Sequence, residues 1–166
     1  MASMQVYFVR HGDAGEKRKW KGPDAERPLS KHGLKACRQA AERFACILPA
    51  PPGIVLTSPL VRAAQTATIA ARAWDVVDSV AADDRLDHGF SIARLRGILS
   101  DYRGHSSIVL VGHEPSMSGV ISELIGGGTI ELKKGGVACV LVTNRTQPKG
   151  KLQFLVSPAV LDCDSV

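Results

Sequence analysis

The chain has 166 residues, 45% of them hydrophobic and 22% charged, with a formal net charge of +5. That length suits one well-buried domain spanning residues 1–166 and leaves no room for two comfortable ones. No apolar run is long enough to span a bilayer, and residues 1–5 are too short and too polar for a signal peptide, so no membrane partner and a cytoplasmic location are the default expectations.

The four cysteines, Cys37, Cys46, Cys139 and Cys163, show neither a C-x-x-C pair nor metal-ligand spacing. Buried, reduced thiols are expected, with Cys37 and Cys46 on roughly opposite sides of one helix. Asn144-Arg145-Thr146 fits a glycosylation acceptor by spelling alone and is discounted without a secretory signal. Lys and Arg are scattered rather than gathered into a stripe with aromatic platforms, so nucleic acid is not the expected partner. A modest basic excess suits attraction of a phosphorylated one.

Residues 6–9, Val-Tyr-Phe-Val, are a run of apolar β-formers without polar alternation, as in a strand covered on both faces. Arg10, His11 and Gly12 come at its end, where Gly12 permits a sharp turn. Ligands of open α/β sheets bind beyond the carboxyl ends of the strands, which puts Arg10 and His11 where chemistry is expected. Taken alone, the pair could merely cap a strand with solvated polar groups. Residues 13–28 carry many charges around Trp20 and no apolar period. They read as an irregular loop, either a lid whose basic residues touch substrate or a solvated loop pinned by Trp20.

Ser30 reads as the cap of an amphipathic helix through Leu34, Cys37, Ala41, Phe44 and Leu48, ended by Pro49. Residues 54–56 form a second buried strand. Ser58 is expected to cap the next helix, with Pro59 at its first position and the helix running to about Trp74. Arg62 then falls one turn in and leans back toward the carboxyl edge of the sheet, beside a helix N-terminus. Residues 76–82 read as a short edge strand and 83–89 as a polar loop. Ser91 caps a helix bearing Ile92, Leu95, Leu99 and Tyr102 on one face, which stops at Gly104.

Residues 108–111, Ile-Val-Leu-Val, repeat the character of the first strand, and Gly112-His113 repeats its ending. Pro115 starts a further helix, closed by Gly126-Gly127-Gly128. Residues 137–143 and 152–156 suit antiparallel strands joined around Gln147-Pro148-Lys149-Gly150. Gly135-Gly136 is read as a turn, although it could also bring backbone close to a ligand.

Arg10, His11, Arg62 and His113 are thus offered to one pocket. Paired guanidiniums hold the oxygens of a phosphoryl group in forked hydrogen bonds. An imidazole in line with the phosphorus can attack it and split one difficult transfer into two easier ones. There is no G-x-x-x-x-G-K-[ST] loop, no H-E-x-x-H and no closely spaced metal-ligand set, so a cofactor-free and metal-free mechanism is expected.

Arg10-His11-Gly12 after an N-terminal strand, Ser58-Pro59 followed by Arg62 and Gln65-Thr66-Ala67, and Gly112-His113 after a late strand resemble the histidine phosphatase superfamily, also called phosphoglycerate mutase-like. Arg27-Pro28-Leu29-Ser30 before the first helix and Val111-Gly112-His113-Glu114-Pro115 are most similar to its SixA-type phosphohistidine phosphatase branch. The resemblance runs over nearly the whole chain. It implies a three-layer α/β/α sandwich with a mostly parallel central sheet. It also implies that His11 is the phosphorylated nucleophile and that Arg10, Arg62 and His113 form the phosphate pocket.

Larger members supply a Glu or Asp as general acid from a segment after the second arginine. The corresponding loop here offers Asp84 and Asp87, with no motif to fix either, and SixA-type members similarly lack an evident acid. A phosphohistidine substrate would explain that, because imidazole leaves without the acid help an alkoxide needs. The expected partner is therefore a phosphohistidine-bearing protein, or else a small phosphorylated metabolite. Asp13 either tunes His11 or caps the turn, the structural role being favoured. The rival readings are a broad small-molecule phosphomonoesterase and a catalytically silent phosphate-binding domain. A monomer is the default expectation.

Overall fold

The computed structural model describes residues 3–161; Met1, Ala2 and residues 162–166, Cys163 among them, lie outside the described residues. Six strands form one sheet: β1 (Met4–Arg10), β2 (Val55–Thr57), β3 (Val80–Ala82), β4 (Ser107–Gly112), β5 (Val137–Asn144) and β6 (Lys149–Val156). Their order is β3-β2-β4-β1-β5-β6. β1 pairs parallel with β4, β4 with β2 and β2 with β3, while β5 pairs antiparallel with β1 and β6 antiparallel with β5. The connections carry α1 (Lys31–Ala45), α2 (Val61–Ala73), α3 (Ile92–Asp101) and α4 (Ser116–Leu124), and a short α5 (Pro158–Leu161) comes after β6.

The unbroken apolar run of β1 has its explanation in the layers on either side. Alternate residues of a strand point to opposite faces. Val6 and Phe8 join a cluster with Leu95 and Ile98 of α3 and Met117 and Ile121 of α4. Tyr7 and Val9 join Phe44 of α1 and Ala63, Ala67 and Ala71 of α2. The fold is the expected α/β/α sandwich, mixed and mostly parallel. Phe44 is 1% exposed and packs edge-on against Tyr7 with ring centroids 6.1 Å apart. Burial of one such side chain contributes about 1.5–3 kcal/mol. Among the described residues no helix is long and apolar enough to cross a membrane.

Several local expectations are corrected. Ser58 does not cap α2, which starts at Val61 after an extended Leu60. The reason is that Ser58 N–H donates to Val111 O at 2.9 Å, which carries the pairing of β2 with β4 one residue further and delays the helix. The predicted edge strand at 76–82 shrinks to Val80–Ala82, because Val77–Ser79 forms a 3₁₀ turn. Pro115 is the cap of α4 rather than its first residue. Gly12 has no positive φ. What demands glycine there is space, since a Cβ on Gly12 would lie 2.3 Å from Cys37 Sγ. A Cβ on Gly33 would lie 2.0 Å from Asp13 O, so the first turn of α1 packs directly against the backbone leaving β1. Cys37 and Cys139 are buried free thiols, but Cys46 is exposed, because α1 ends at Ala45 and leaves it on the solvent side of the cap.

Candidate functional site

The backbone of Arg10 and His11 is held from both sides. His11 N–H donates to Gly112 O at 3.1 Å and Arg10 N–H to Gly136 O at 3.2 Å, while Gly135 N–H is shared between Arg10 O and His11 O. Gly135-Gly136 is therefore a turn that clamps the end of β1. His11 Nδ1 lies 2.7 Å from Gly12 O. A carbonyl can only accept, so the proton of a neutral ring sits on Nδ1 and the lone pair on Nε2.

His113, 2% exposed at the end of β4, faces His11 with ring centroids 5.0 Å apart. Its Nε2 bonds Ser58 Oγ at 2.8 Å. This is the role Ser58 has in place of a cap. Gly12 N–H donates to Thr66 Oγ1, which in turn donates to Arg62 O, so the first turn of α2 is tied to the loop bearing His11.

Both arginines spend part of their guanidinium on positioning. Arg10 Nη1 donates to Leu132 O at 2.9 Å. Arg62, 3% exposed, donates from Nη1 to Asp24 O at 2.8 Å and approaches Asp24 Oδ2 at 3.3 Å. Among the described residues, three buried side-chain polar atoms find no partner: Arg10 Nε, Arg62 Nε and His113 Nδ1. Buried groups of this kind are nearly always hydrogen-bonded. Three such atoms on residues whose charges or ring act on His11 are chemically able to receive the oxygens of an anion.

Burial is the main reason that His11 is held down at about 4, and the charges of Arg62 and Arg10 push the same way, against the pull of Gly12 O. Burial also takes His113 down to about 3, helped by His11 and Arg62. Both rings are thus neutral well below the ordinary imidazole value of 6.5. Between 6.5 and about 4 the unfolded chain takes up protons that the folded one refuses, so stability is lost as pH falls through that window. Proton NMR titration is expected to give His11 a midpoint near 4, with thermal stability declining over the same range; a His11 midpoint at 6.5 would refute this.

The loop at 13–28 is not pinned by Trp20, which is 38% exposed and whose Nε1 donates only to Pro23 O. Arg27 ties it down instead, bonding Asp24 Oδ1, Ala14 O and Gly15 O. Asp24 then links the loop to Arg62. Asp13 accepts from Ser30 Oγ, Gly15 N–H and Lys134 Nζ, a set that joins the turn to α1 and to the segment before β5.

Asp84 and Asp87 separate clearly. Asp84 is exposed, whereas Asp87 is half-buried and its charge acts on both Arg62 and His113. Sequence patterns alone do not single out His88, whose ring stands 5.1 Å from that of His113. A signal was present: like His11 and His113, it lies beyond a parallel strand at the carboxyl edge of the sheet. Among the described residues no group of three or more His, Cys, Asp or Glu side chains is placed to hold a metal ion.

The profile of the histidine phosphatase superfamily (branch 1) matches residues 6–88, which hold Arg10, His11 and Arg62. The chain belongs to this superfamily. An uncharacterized protein of Picosynechococcus sp. is 32% identical over 139 residues, 81% of this chain and 82% of the relative. Among solved structures, the protein histidine phosphatase SixA complexed with tungstate superposes with a TM-score of 0.82 at 25% identity, covering 95% of this chain and 99% of that one. Phosphoglycerate mutase from Bacillus anthracis shares the fold, with a TM-score of 0.74 at 11% identity over 96% of each chain. The protein is thus a histidine phosphatase superfamily hydrolase.

Proposed function

We propose that this protein removes phosphate from phosphohistidine in a signalling or phosphotransfer protein, by way of a phosphorylated His11. The observation that carries the reading is the free Nε2 of His11 beside three partnerless buried donor or acceptor atoms, on Arg10, Arg62 and His113. Nε2 attacks phosphorus, an N–P bond forms, and the bond to the leaving imidazole breaks with its electron pair going to that ring. Arg10 and Arg62 neutralise the equatorial oxygens, and transfer of this kind depends mainly on positioning and charge. Water then attacks the phosphorus of phosphorylated His11, an O–P bond forms, and the N–P bond breaks with its electron pair returning to His11 Nε2. Asp87 is the candidate of the two carboxylates for a contact with the leaving group.

The choice of phosphohistidine is supported by the likeness to SixA over almost the full length of both chains. A tetrahedral oxyanion, tungstate, is bound by that relative. The same reading takes the protein as a cytoplasmic monomer that needs no cofactor, no nucleic acid and no membrane. The test is phosphate release from a phosphohistidine-carrying protein, a phosphoserine peptide and 4-nitrophenyl phosphate, with chelator present. Release is expected to be fastest from phosphohistidine, because an imidazole is a better leaving group than an alkoxide. Equal or faster release from the esters would move the assignment to a general phosphomonoesterase, and no release from any would leave a phosphate-binding domain.

A further inference from the structure

His11, His113 and His88 form a row of rings running from the sheet to the solvent. Centroids are 5.0 Å apart for the first pair and 5.1 Å for the second. His113 is 2% exposed, but the His88 side chain is 64% exposed, so the row ends at the mouth of the site. In-line attack from His11 sends the departing group away from the nucleophile, and His88 is the exposed end of the row.

Resting on the phosphatase reading through His11, we infer that His88 meets the departing group there and acts as its proton donor. The surroundings of His88 suit that task. Asp87 Oδ1 lies 4.0 Å from Nε2 and supplies a counter-charge to a protonated ring. The same carboxylate oxygen accepts the His88 backbone N–H at 2.7 Å, and Arg94 Nη1 donates to His88 O at 3.3 Å, so both sides of the residue are anchored. Asp87 Oδ1 is already taken as an acceptor by the His88 backbone N–H, so the imidazole beside it is the group left to meet the leaving atom. His113 is 2% exposed, with Nε2 held by Ser58 Oγ and its remaining nitrogen, Nδ1, among the buried atoms assigned to the phosphate oxygens, so it does not reach the exposed end of the row.

The step balances. The bond from His11 Nε2 to phosphorus forms as the bond from phosphorus to the leaving atom breaks; that atom keeps the electron pair and takes the His88 proton. In the second half the neutral His88 ring receives a proton from the attacking water, and the N–P bond breaks with its pair returning to His11.

The demand for a proton is set by the leaving group, so aryl esters measure it. 4-Nitrophenolate leaves without a proton; phenolate needs one. Single-turnover rates of His88→Ala, and of His88→Gln as a variant that keeps a hydrogen-bonding side chain, are to be taken on 4-nitrophenyl phosphate and phenyl phosphate. Both variants are expected to lose about 100-fold on phenyl phosphate and no more than about threefold on the nitro compound, the scale of general acid catalysis. Equal losses on the two esters, no loss on either, or a wild-type protein that leaves phenyl phosphate untouched would overturn the assignment. Failure of the underlying reading shows itself differently, as undiminished release by His11→Ala.

Discussion

His11→Ala is expected to lower phosphate release from phosphohistidine by at least about 10⁴-fold and to abolish covalent labelling of the chain by substrate. The size reflects the part this residue has in the reaction. Loss of a nucleophile removes the two-step route entirely, and only the modest help that bound donors give to direct attack by water remains. No other imidazole can take over. His113, the nearest, has its Nε2 committed to Ser58 Oγ and its ring buried, while His88 stands one ring further out. The measurement is rapid quenching of wild-type and variant protein with labelled substrate, then intact-mass detection of an acid-labile adduct. A variant within tenfold of wild type, or an adduct that survives the substitution, would sink the role of His11.

Arg62→Ala is expected to cost about 10²–10³-fold in kcat, with a similar weakening of inhibition by tungstate. Arg62 is 3% exposed, so its charge acts in a place from which water is largely excluded and is screened little. Its Nε has no protein partner, and its Nη1 and Nη2 hold Asp24. On the proposed reading one residue binds the anion and, through Asp24, also holds the loop at 13–28. Arg62→Lys is expected to recover little, because a single ammonium cannot both reach Asp24 and present a fork to phosphate. Steady-state kinetics with tungstate titrations of the two variants decide the matter: a kcat within threefold of wild type for Arg62→Lys would show that charge alone suffices.

The central part of this protein could be read from its amino acids because the cause is local. An apolar run that does not alternate needs cover on both faces, and such a strand in an open α/β sheet delivers the residues just beyond its end to the carboxyl edge. That logic places Arg10, His11 and His113 without any knowledge of the neighbours, and the helical phase of Arg62 is set by its distance from Ser58. Residue identities such as Gly12 are equally visible, though the pressure behind this one is the Cys37 sulfur of a packed helix and not a turn angle.

The decisions left to tertiary structure alone lie in contacts between distant segments. Ser58 carries the spelling of a helix cap, yet pairing with β4 claims its backbone and His113 its hydroxyl, across 55 positions of sequence. Asp84 and Asp87 look interchangeable in the sequence. A 3₁₀ turn at Asp84–Leu86 and an extended Asp87 leave the first in solvent and bring the second toward Arg62 and His113. His88 was hidden for the same reason, since the direction of a side chain in an irregular loop depends on dihedral angles that no periodicity reports. The sequence thus determined which chemistry-bearing residues stand at strand ends, through short-range sterics and burial. Packing of the loops between them determined which remaining polar groups face that chemistry, because such contacts are chosen by the whole fold at once.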